Sequence, residues 1–283
     1  DPAVIDFQIA GLRHIEATDP SMPVPRVVLT CAGETRSHLV SEAGERLMVY
    51  ALTYRPGVPL REASLTPVIM GAVGTTIAKL SHALKSFHWD APDQALVWDI
   101  RRAGAMREHV PLIRDRAAEK LVGETLDWFV ATTLPVFAGL RQQVIHNDAN
   151  RGNILVLPGA DAEVSGVIDF GDMVHAPLVQ DVSTAAMELT GVSDDPIGYI
   201  EAFLKSYVAV NPLTGDEVAS IYDCVMTRLA VCVLVYAWRA ENKAEPRYDA
   251  HAEAMRFFDE MKRVDAVGRD AATERFHTVC GTG

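Results

Sequence analysis

Two short stretches hold residue types that can do chemistry. His146-Asn147-Asp148-Ala149-Asn150-Arg151-Gly152-Asn153 sets a carboxylate and a carboxamide five residues apart, and Ile168-Asp169-Phe170-Gly171-Asp172 supplies a second acidic cluster. Each stands at the end of a β-rich run, Gln143 to Ile145 and Val164 to Phe170. A third run, Ile154 to Leu157, meets the last one through the turn Pro158-Gly159-Ala160-Asp161. A hairpin at that turn carries the chain back and sets Asp169 beside Asp148 and Asn153. One carboxylate to orient and deprotonate an attacking hydroxyl, with two oxygen ligands for Mg2+ on the phosphates, is the set that phosphoryl transfer from ATP needs.

The spacing has the form H-x-D-x-x-x-x-N followed by D-F-G, that of a kinase-type catalytic loop and metal-binding loop. At usages of about 2% His, 5% Asp and 4% Asn, the first triple arises by chance in about one chain in a hundred of this length. The D-F-G after a hairpin makes coincidence remote. His146 reads differently from the others: a histidine at such a place is more often hydrogen-bonded to the loop backbone than a chemical participant.

These residues need a scaffold, and the composition provides one. The 283 residues are 49% hydrophobic and 23% charged, enough apolar material for a large core, and the length suits two lobes of unequal size. A formal charge of -12 opposes adhesion to nucleic acid and favours a small, cationic substrate. The longest apolar run, Leu229 to Trp238, falls short of the roughly 20 residues that cross a bilayer and reads as a buried helix. No signal peptide is visible and the four cysteines show no paired spacing, so a reducing cytoplasm is expected, with no membrane partner and no zinc site. The sequence leaves the oligomeric state open.

Ile5, Ile9, Leu12 and Ile15 recur at helical spacing before Asp19-Pro20 breaks the pattern. Arg26 to Cys31, Ser37 to Val40 and Glu45 to Tyr54 then read as strands, the last two as a hairpin. Arg55-Pro56-Gly57-Val58-Pro59 interrupts them and marks the boundary between a small N-lobe, residues 1–55, and a C-lobe, residues 58–283. Thr66 and Pro67 open the first helix of the C-lobe. Further helices are expected within Arg114 to Leu140, Val179 to Leu189, Ile197 to Val210, Asp216 to Trp238 and Ala250 to Val264. The expected class is α+β and bilobal, a small antiparallel sheet beside a larger, mainly helical lobe.

The segments VIHNDANRGNILV and VSGVIDFGDMVHAPLVQDVSTA resemble the catalytic motifs of the aminoglycoside phosphotransferase and choline kinase superfamily, which has the protein-kinase-like fold. PVPRVVLT, LTYRPGVPL and FHWDAPDQALVWDI resemble most the hydroxylysine kinase-like group, including the phosphotransferase domains that bacteria fuse to class III aminotransferases. The resemblance spans roughly Ala3 to Trp238 and is most specific in the catalytic motifs. It implies Asp148 as catalytic base, Asn153 and Asp169 as Mg2+ ligands, and Asp181, with His146, as support for the loop. It matches Leu52, Thr53 and Tyr54, within a hinge at about 52–57, to the backbone that meets adenine.

The same resemblance calls for a glycine-rich turn and a strand lysine ahead of the first helix. Lys79, Lys85 and Lys120 fall in helices of the other lobe and cannot replace that lysine, whose acidic partner would be Asp6. The expectation is a further segment of roughly 40 to 80 residues upstream, without which Ile5, Ile9 and Leu12 would be partly uncovered. Acceptors in the superfamily are amino alcohols such as hydroxylysine, homoserine, choline or an aminoglycoside. Asp172, Glu188, Asp194 and Asp195, with Trp238 and Arg239 at the end of the apolar helix, are candidate substrate contacts. A pseudokinase or regulatory binding lobe is the alternative, and it leaves the intact Asp148, Asn153 and Asp169 unexplained. A protein substrate is disfavoured, because Gly171 leads through DMVHAPLVQDV into a helix with no long activation segment.

Overall fold

Helix α1 (Pro2–Thr18) opens the chain and stops at Asp19-Pro20, as the spacing predicts. Strands β1 (Val27–Val28), β2 (Ser37–Val40), β3 (Arg46–Val49) and β4 (Ala51–Leu52) follow. β2 and β3 form an antiparallel hairpin with Ser37 opposite Val49, and β4 returns to β1 with Val27 opposite Leu52. The computed structural model describes residues 2–90, 94–159, 163–191, 193–242 and 249–282. Asp1, residues 91–93, and Ala160 and Asp161 of the expected turn lie outside them.

The expected exposure of α1 is corrected by the structure. Phe7, Ile9, Leu12 and Ile15 are buried, and Ile5 alone of the three named residues is half-buried. α1 lies against the helical part of the molecule. Phe7 stacks on Phe87 with ring centroids 5.9 Å apart, and a Cβ at Gly11 would meet the Met173 side chain at 2.7 Å. Asp6 pairs with Arg36 at 3.1 Å on the strand side of the helix.

Beyond the hinge comes β5 (Val58–Pro59), inside the stretch read as an interruption. Gly57 explains how the chain turns so tightly there: its φ is 134°, and a Cβ would lie 2.4 Å from the Ser165 hydroxyl and 2.9 Å from the Val156 carbonyl. Arg55 donates through Nε and Nη2 to the Ser165 carbonyl, at 3.0 and 2.7 Å, and the Ser165 hydroxyl donates to the Pro56 carbonyl. Helix α2 (Pro67–Leu84) starts as predicted, with the Thr66 hydroxyl accepting from the Ile69 N–H at 3.3 Å and Pro67 in the first turn.

A 3-10 stretch, Ile100–Leu112, and helix α3 (Arg116–Trp128) follow, the helix capped by Asp115. The helical stretch expected within Arg114 to Leu140 is divided. Pro135 lacks an N–H to close an α-turn, and the chain widens into a π-turn, Phe129–Thr133, before the short α4 (Leu134–Val136).

Next come β6 (Gln142–Ile145), β7 (Ile154–Val156), β8 (Val164–Val167), β9 (Val174–Pro177) and α5 (Leu178–Met187). β7 joins β5 and β8 in an antiparallel sheet with Ile154 opposite Val167, the predicted hairpin. β9 was not foreseen, because its stretch read as leading straight into a helix. It pairs with β6, Ile145 opposite Val174, and Pro177 is tolerated as its last residue. Helices α6 (Gly198–Val208), α7 (Gly215–Asn242), α8 (Ala250–Val267) and α9 (Arg269–Cys280) complete the fold, α9 without a sequence signal. α7 is long and apolar enough to cross a membrane by length and composition, but 89% of that window is buried in the protein, where α3, α5, α8 and α9 pack around it. Cys224 and Cys232 on α7 are buried free thiols, and burial pushes Cys232 up to about 12.

Candidate active site

The two strand pairs bracket the 146–153 loop, β6 delivering its first residue and β7 receiving its last. The Ile168 N–H donates to the Asn153 carbonyl at 2.9 Å, which ties the end of the loop to the start of the Asp169 cluster. His146 is fully buried. Its Nε2 donates to the Ile168 carbonyl at 3.1 Å and its Nδ1 accepts from the Asp148 N–H at 3.2 Å, so the ring is the neutral Nε2–H tautomer. Its ring meets Phe170 edge-on at 4.7 Å.

Asn147 is held in the left-handed region at φ 67°. A buried polar chain holds it there. Asp181 Oδ1 accepts the Asn147 N–H at 2.7 Å, and Gln180 Nε2 donates to the Asn147 side chain at 2.8 Å and to Asp99 Oδ1 at 3.0 Å. Arg101 Nε donates to both Asp99 oxygens at 3.0 Å. Asp181 is fully buried and its Oδ2 finds no partner among the described residues; burial accordingly pushes its carboxyl above the usual carboxylate range.

Asp148 Oδ2 accepts from the side-chain amides of Asn150 at 2.9 Å and Asn153 at 2.8 Å, and Oδ1 faces Arg228 Nη2 at 3.2 Å. Asn153 Nδ2 also donates to the Asp148 carbonyl at 2.9 Å. With its nitrogen committed twice, the Asn153 amide turns its oxygen away from Asp148. Asp169 is exposed, sits at φ 64° and, among the described residues, accepts from the Gly171 N–H at 3.3 Å. Asp172 is pushed upward first by burial and then by the charges of Asp148 and Asp169. Three carboxylates against one buried arginine leave negative charge to be met. An outward amide oxygen and an open carboxylate suit Mg2+, which takes one or two protein ligands and the rest from phosphate and water. Among the described residues no group of three His, Cys, Asp or Glu forms a self-sufficient metal cage.

A cavity of about 410 Å³ opens on the Asp148 side. Glu188, Arg151 and Arg228 line it beside Asp148, Trp98 and Tyr236 give it an aromatic wall, and Glu253 and Arg256 of α8 stand opposite. Arg151 Nε lies 3.4 Å from Glu188, and Arg256 pairs with Glu253 and Glu260 at 3.0 and 2.6 Å. Arg228, Cys232 and Tyr236 recur every fourth residue, so one stripe of α7 faces the cavity.

Of the residues singled out in the sequence, Asp148, Asn153, Asp169 and Asp172 come together with His146 and Asp181 behind them, and Glu188 lines the cavity. Trp238 does not line it, being two residues past Tyr236 and turned about 200° around the helix axis. Arg239 returns to the stripe, its guanidinium 5.8 Å from the Trp98 ring and 5.3 Å from that of Tyr236. Asp194 and Asp195 are corrected: neither lines the cavity, Asp195 pairing with Arg275 at 2.6 Å and the Asp194 carbonyl accepting from Arg263 at 3.3 Å.

At the hinge, the Thr53 N–H donates to the Arg26 carbonyl at 2.9 Å, and strand alternation turns the main-chain groups of Leu52 to the other edge. The Tyr54 side chain projects into solvent. Sequence reasoning missed Trp98, Arg151, Tyr236 and Arg256 as cavity residues, and Arg228 as a partner of Asp148. An arginine inside a buried apolar helix was a usable signal, but Arg228 read as the flank of an apolar run.

Residues 1–218 match the family model described as "Phosphotransferase enzyme family". Hydroxylysine kinase of Bos taurus is 24% identical over 287 residues, covering 96% of this chain and 76% of that protein. Homoserine kinase of Methylobacillus flagellatus is 36% identical over 83 residues, 29% of this chain and 25% of that one. Among solved structures, an amicoumacin kinase in complex with AMP-PNP, Ca2+ and Ami superposes with a TM-score of 0.67 at 17% identity, covering 93% of this chain and 78% of that one. A microcompartment-associated aminopropanol kinase gives 0.61 at 19% identity, covering 100% and 84%. These likenesses show the protein-kinase-like fold of the aminoglycoside phosphotransferases.

Proposed function

The chain belongs to the phosphotransferase enzyme family and is a small-molecule kinase, and we propose that it moves the γ-phosphoryl group of ATP to a hydroxyl of a small amino alcohol. The observation that carries this reading is that one carboxylate, Asp148, both lines the cavity and adjoins the outward amide of Asn153. The acceptor enters the cavity with its hydroxyl toward Asp148. As the oxygen attacks phosphorus, its proton passes to the carboxylate, and the bond from the γ-phosphorus to the bridging oxygen breaks, leaving ADP. The hydrogen bonds that both Asp148 oxygens accept hold the carboxylate in place to orient the hydroxyl and receive its proton.

Mg2+, held by Asn153 Oδ1 and the Asp169 carboxylate, would neutralise charge on the phosphates when bound. His146 and Asp181 act from behind by fixing the loop main chain. Within the stretch Leu52, Thr53 and Tyr54, Leu52 and Tyr54 offer main-chain groups to adenine, the Thr53 N–H being held by the Arg26 carbonyl. A cytoplasmic setting, where ATP is made and thiols stay reduced, goes with the free cysteines.

The cavity narrows the acceptor. Arg61, Arg151, Arg228 and Arg256 stand among Asp148, Glu188 and Glu253, a mixed lining that favours a carboxylate beside the ammonium group over choline or a polycationic aminoglycoside. ADP release by the full-length protein with ATP, Mg2+ and, in turn, hydroxylysine, homoserine, choline and an aminoglycoside is the test. Turnover is expected with a hydroxy amino acid. Turnover with none of the four would overturn the amino-alcohol assignment.

A further inference from the structure

Arg228 sits midway along α7, 3% exposed, among the buried apolar residues of that long helix. A guanidinium there is costly unless it is paired. Among the described residues its one carboxylate partner is Asp148, Nη2 to Oδ1 at 3.2 Å. Nη1 donates to the Trp98 carbonyl, and the guanidinium carbon lies 5.2 Å from the centre of the Trp98 ring. Among the described residues its buried Nε has no partner, so the Asp148 and Trp98 contacts set its direction.

Asp148 is thereby held from two sides. The amides on Oδ2 belong to its own loop and move with it, whereas Arg228 anchors Oδ1 to a core helix distant in sequence. We propose that Arg228 is a positioning residue for phosphoryl transfer: by holding Asp148 Oδ1 and the Trp98 main chain at once, it registers the carboxylate that receives the acceptor hydroxyl against the wall of the acceptor cavity. The inference rests on the reading of Asp148 as proton acceptor. Two anchors on different elements stop rotation of the carboxylate plane, and misplacement of a reacting group by about 1 Å costs about 100-fold in rate.

The test is steady-state kinetics with hydroxylysine, or homoserine where hydroxylysine is not turned over, and calorimetry of ATP. Arg228→Met and Arg228→Lys are measured alone and combined with Asp148→Asn. Arg228→Met should lower kcat about 100-fold and Arg228→Lys, which keeps the charge but not the two-directional fork, about 10-fold, with ATP affinity within about twofold. Asp148→Asn alone should cost about 100- to 10,000-fold, and adding Arg228→Met to it less than about threefold more, because Arg228 then has no base to position.

A near-normal kcat for Arg228→Met, full additivity in the double variant, or a raised acceptor KM with unchanged kcat each overturns the proposal. If Arg228→Met fails to fold, Arg228→Lys decides, and a kcat within about twofold of the parent overturns it. Normal turnover in Asp148→Asn would instead sink the reading of Asp148. A slow Asp148→Asn beside normal Arg228 variants sinks the Arg228 inference alone.

Discussion

Around the 146–153 loop, main-chain and side-chain groups are met by buried side chains from elsewhere: Asp181 takes the Asn147 N–H, Gln180 bridges Asn147 to Asp99, and Arg228 reaches Asp148 from α7. In the two N-terminal strand pairs, β1 with β4 and β2 with β3, main chain pairs with main chain while Leu39, Val40 and, just past β4, Tyr54 stand 59%, 73% and 85% exposed. The loop depends on which side chains are present, and the strand pairs depend on where their backbone runs. Substitutions should therefore be costly in the first region and cheap in the second, in proportion to how much each side chain touches.

The largest effect is expected at Asp169. Its carboxylate is exposed and, among the described residues, accepts one weak bond, so its removal should spare the fold and take away the open oxygens offered to Mg2+. Because φ is 64°, where Asn is tolerated far better than Ala, Asp169→Asn is the cleaner variant and Asp169→Ala the stricter one. Both should lose phosphoryl transfer by at least about 1,000-fold, with Asp169→Asn melting within about 1 °C of the parent, on the several kcal/mol that metal coordination contributes. Near-normal turnover at saturating Mg2+ would remove Asp169 from the metal site.

That contrast also accounts for what could be read in the sequence. His146, Asp148, Asn153 and Asp169 were legible because their chemistry resides in side chains at fixed local spacing, and the β7–β8 hairpin carried a turn signal of its own. The cavity was not legible. Trp98, Arg151, Arg228 with Tyr236 on α7, and Arg256 on α8 come from four separate stretches and meet only through the packing of α7, α8 and the loop. β9 was hidden because its hydrogen-bond partner, β6, lies some thirty residues upstream and no local pattern records the pairing. The cover over α1 was misjudged for a related reason: Phe87 and Met173, which bury its apolar face, belong to the helical half.

A middle-sized effect is expected at Asp181, which supports the loop without lining the cavity. Asp181→Ala leaves the buried Asn147 N–H without its acceptor, a loss of about 1–3 kcal/mol, read as a fall of several degrees in Tm. kcat should fall as well, since the left-handed turn at Asn147 aims the following Asp148. The pH dependence has a definite sign. Burial raises the folded carboxyl above its unfolded value, so the folded chain holds a proton that the unfolded chain releases, and this contribution to stability is lost as pH climbs from the ordinary carboxylate range toward the raised value. Asp181→Asn, which cannot titrate, should flatten that part of the Tm against pH curve. An unchanged curve would mean that the carboxyl is not raised.

The smallest effect is expected at Tyr54, and it tests the other side of the comparison. In the proposed function the hinge meets adenine through main-chain groups, and the Thr53 N–H is already given to the Arg26 carbonyl, which holds the register of β4 against β1 without help from the Tyr54 ring. Tyr54→Ala should then change the KM for ATP by less than about threefold and stability by less than about 0.5 kcal/mol, the range for an exposed side chain away from any cap or network. The measurement is ATP titration of initial rates beside a melting curve for the same preparation. A tenfold rise in KM at constant Tm would show the ring stacking on the base. Side-chain identity would then matter beside the strand pairs as it does in the loop, and the contrast between the two regions would fail at the place where they share a nucleotide.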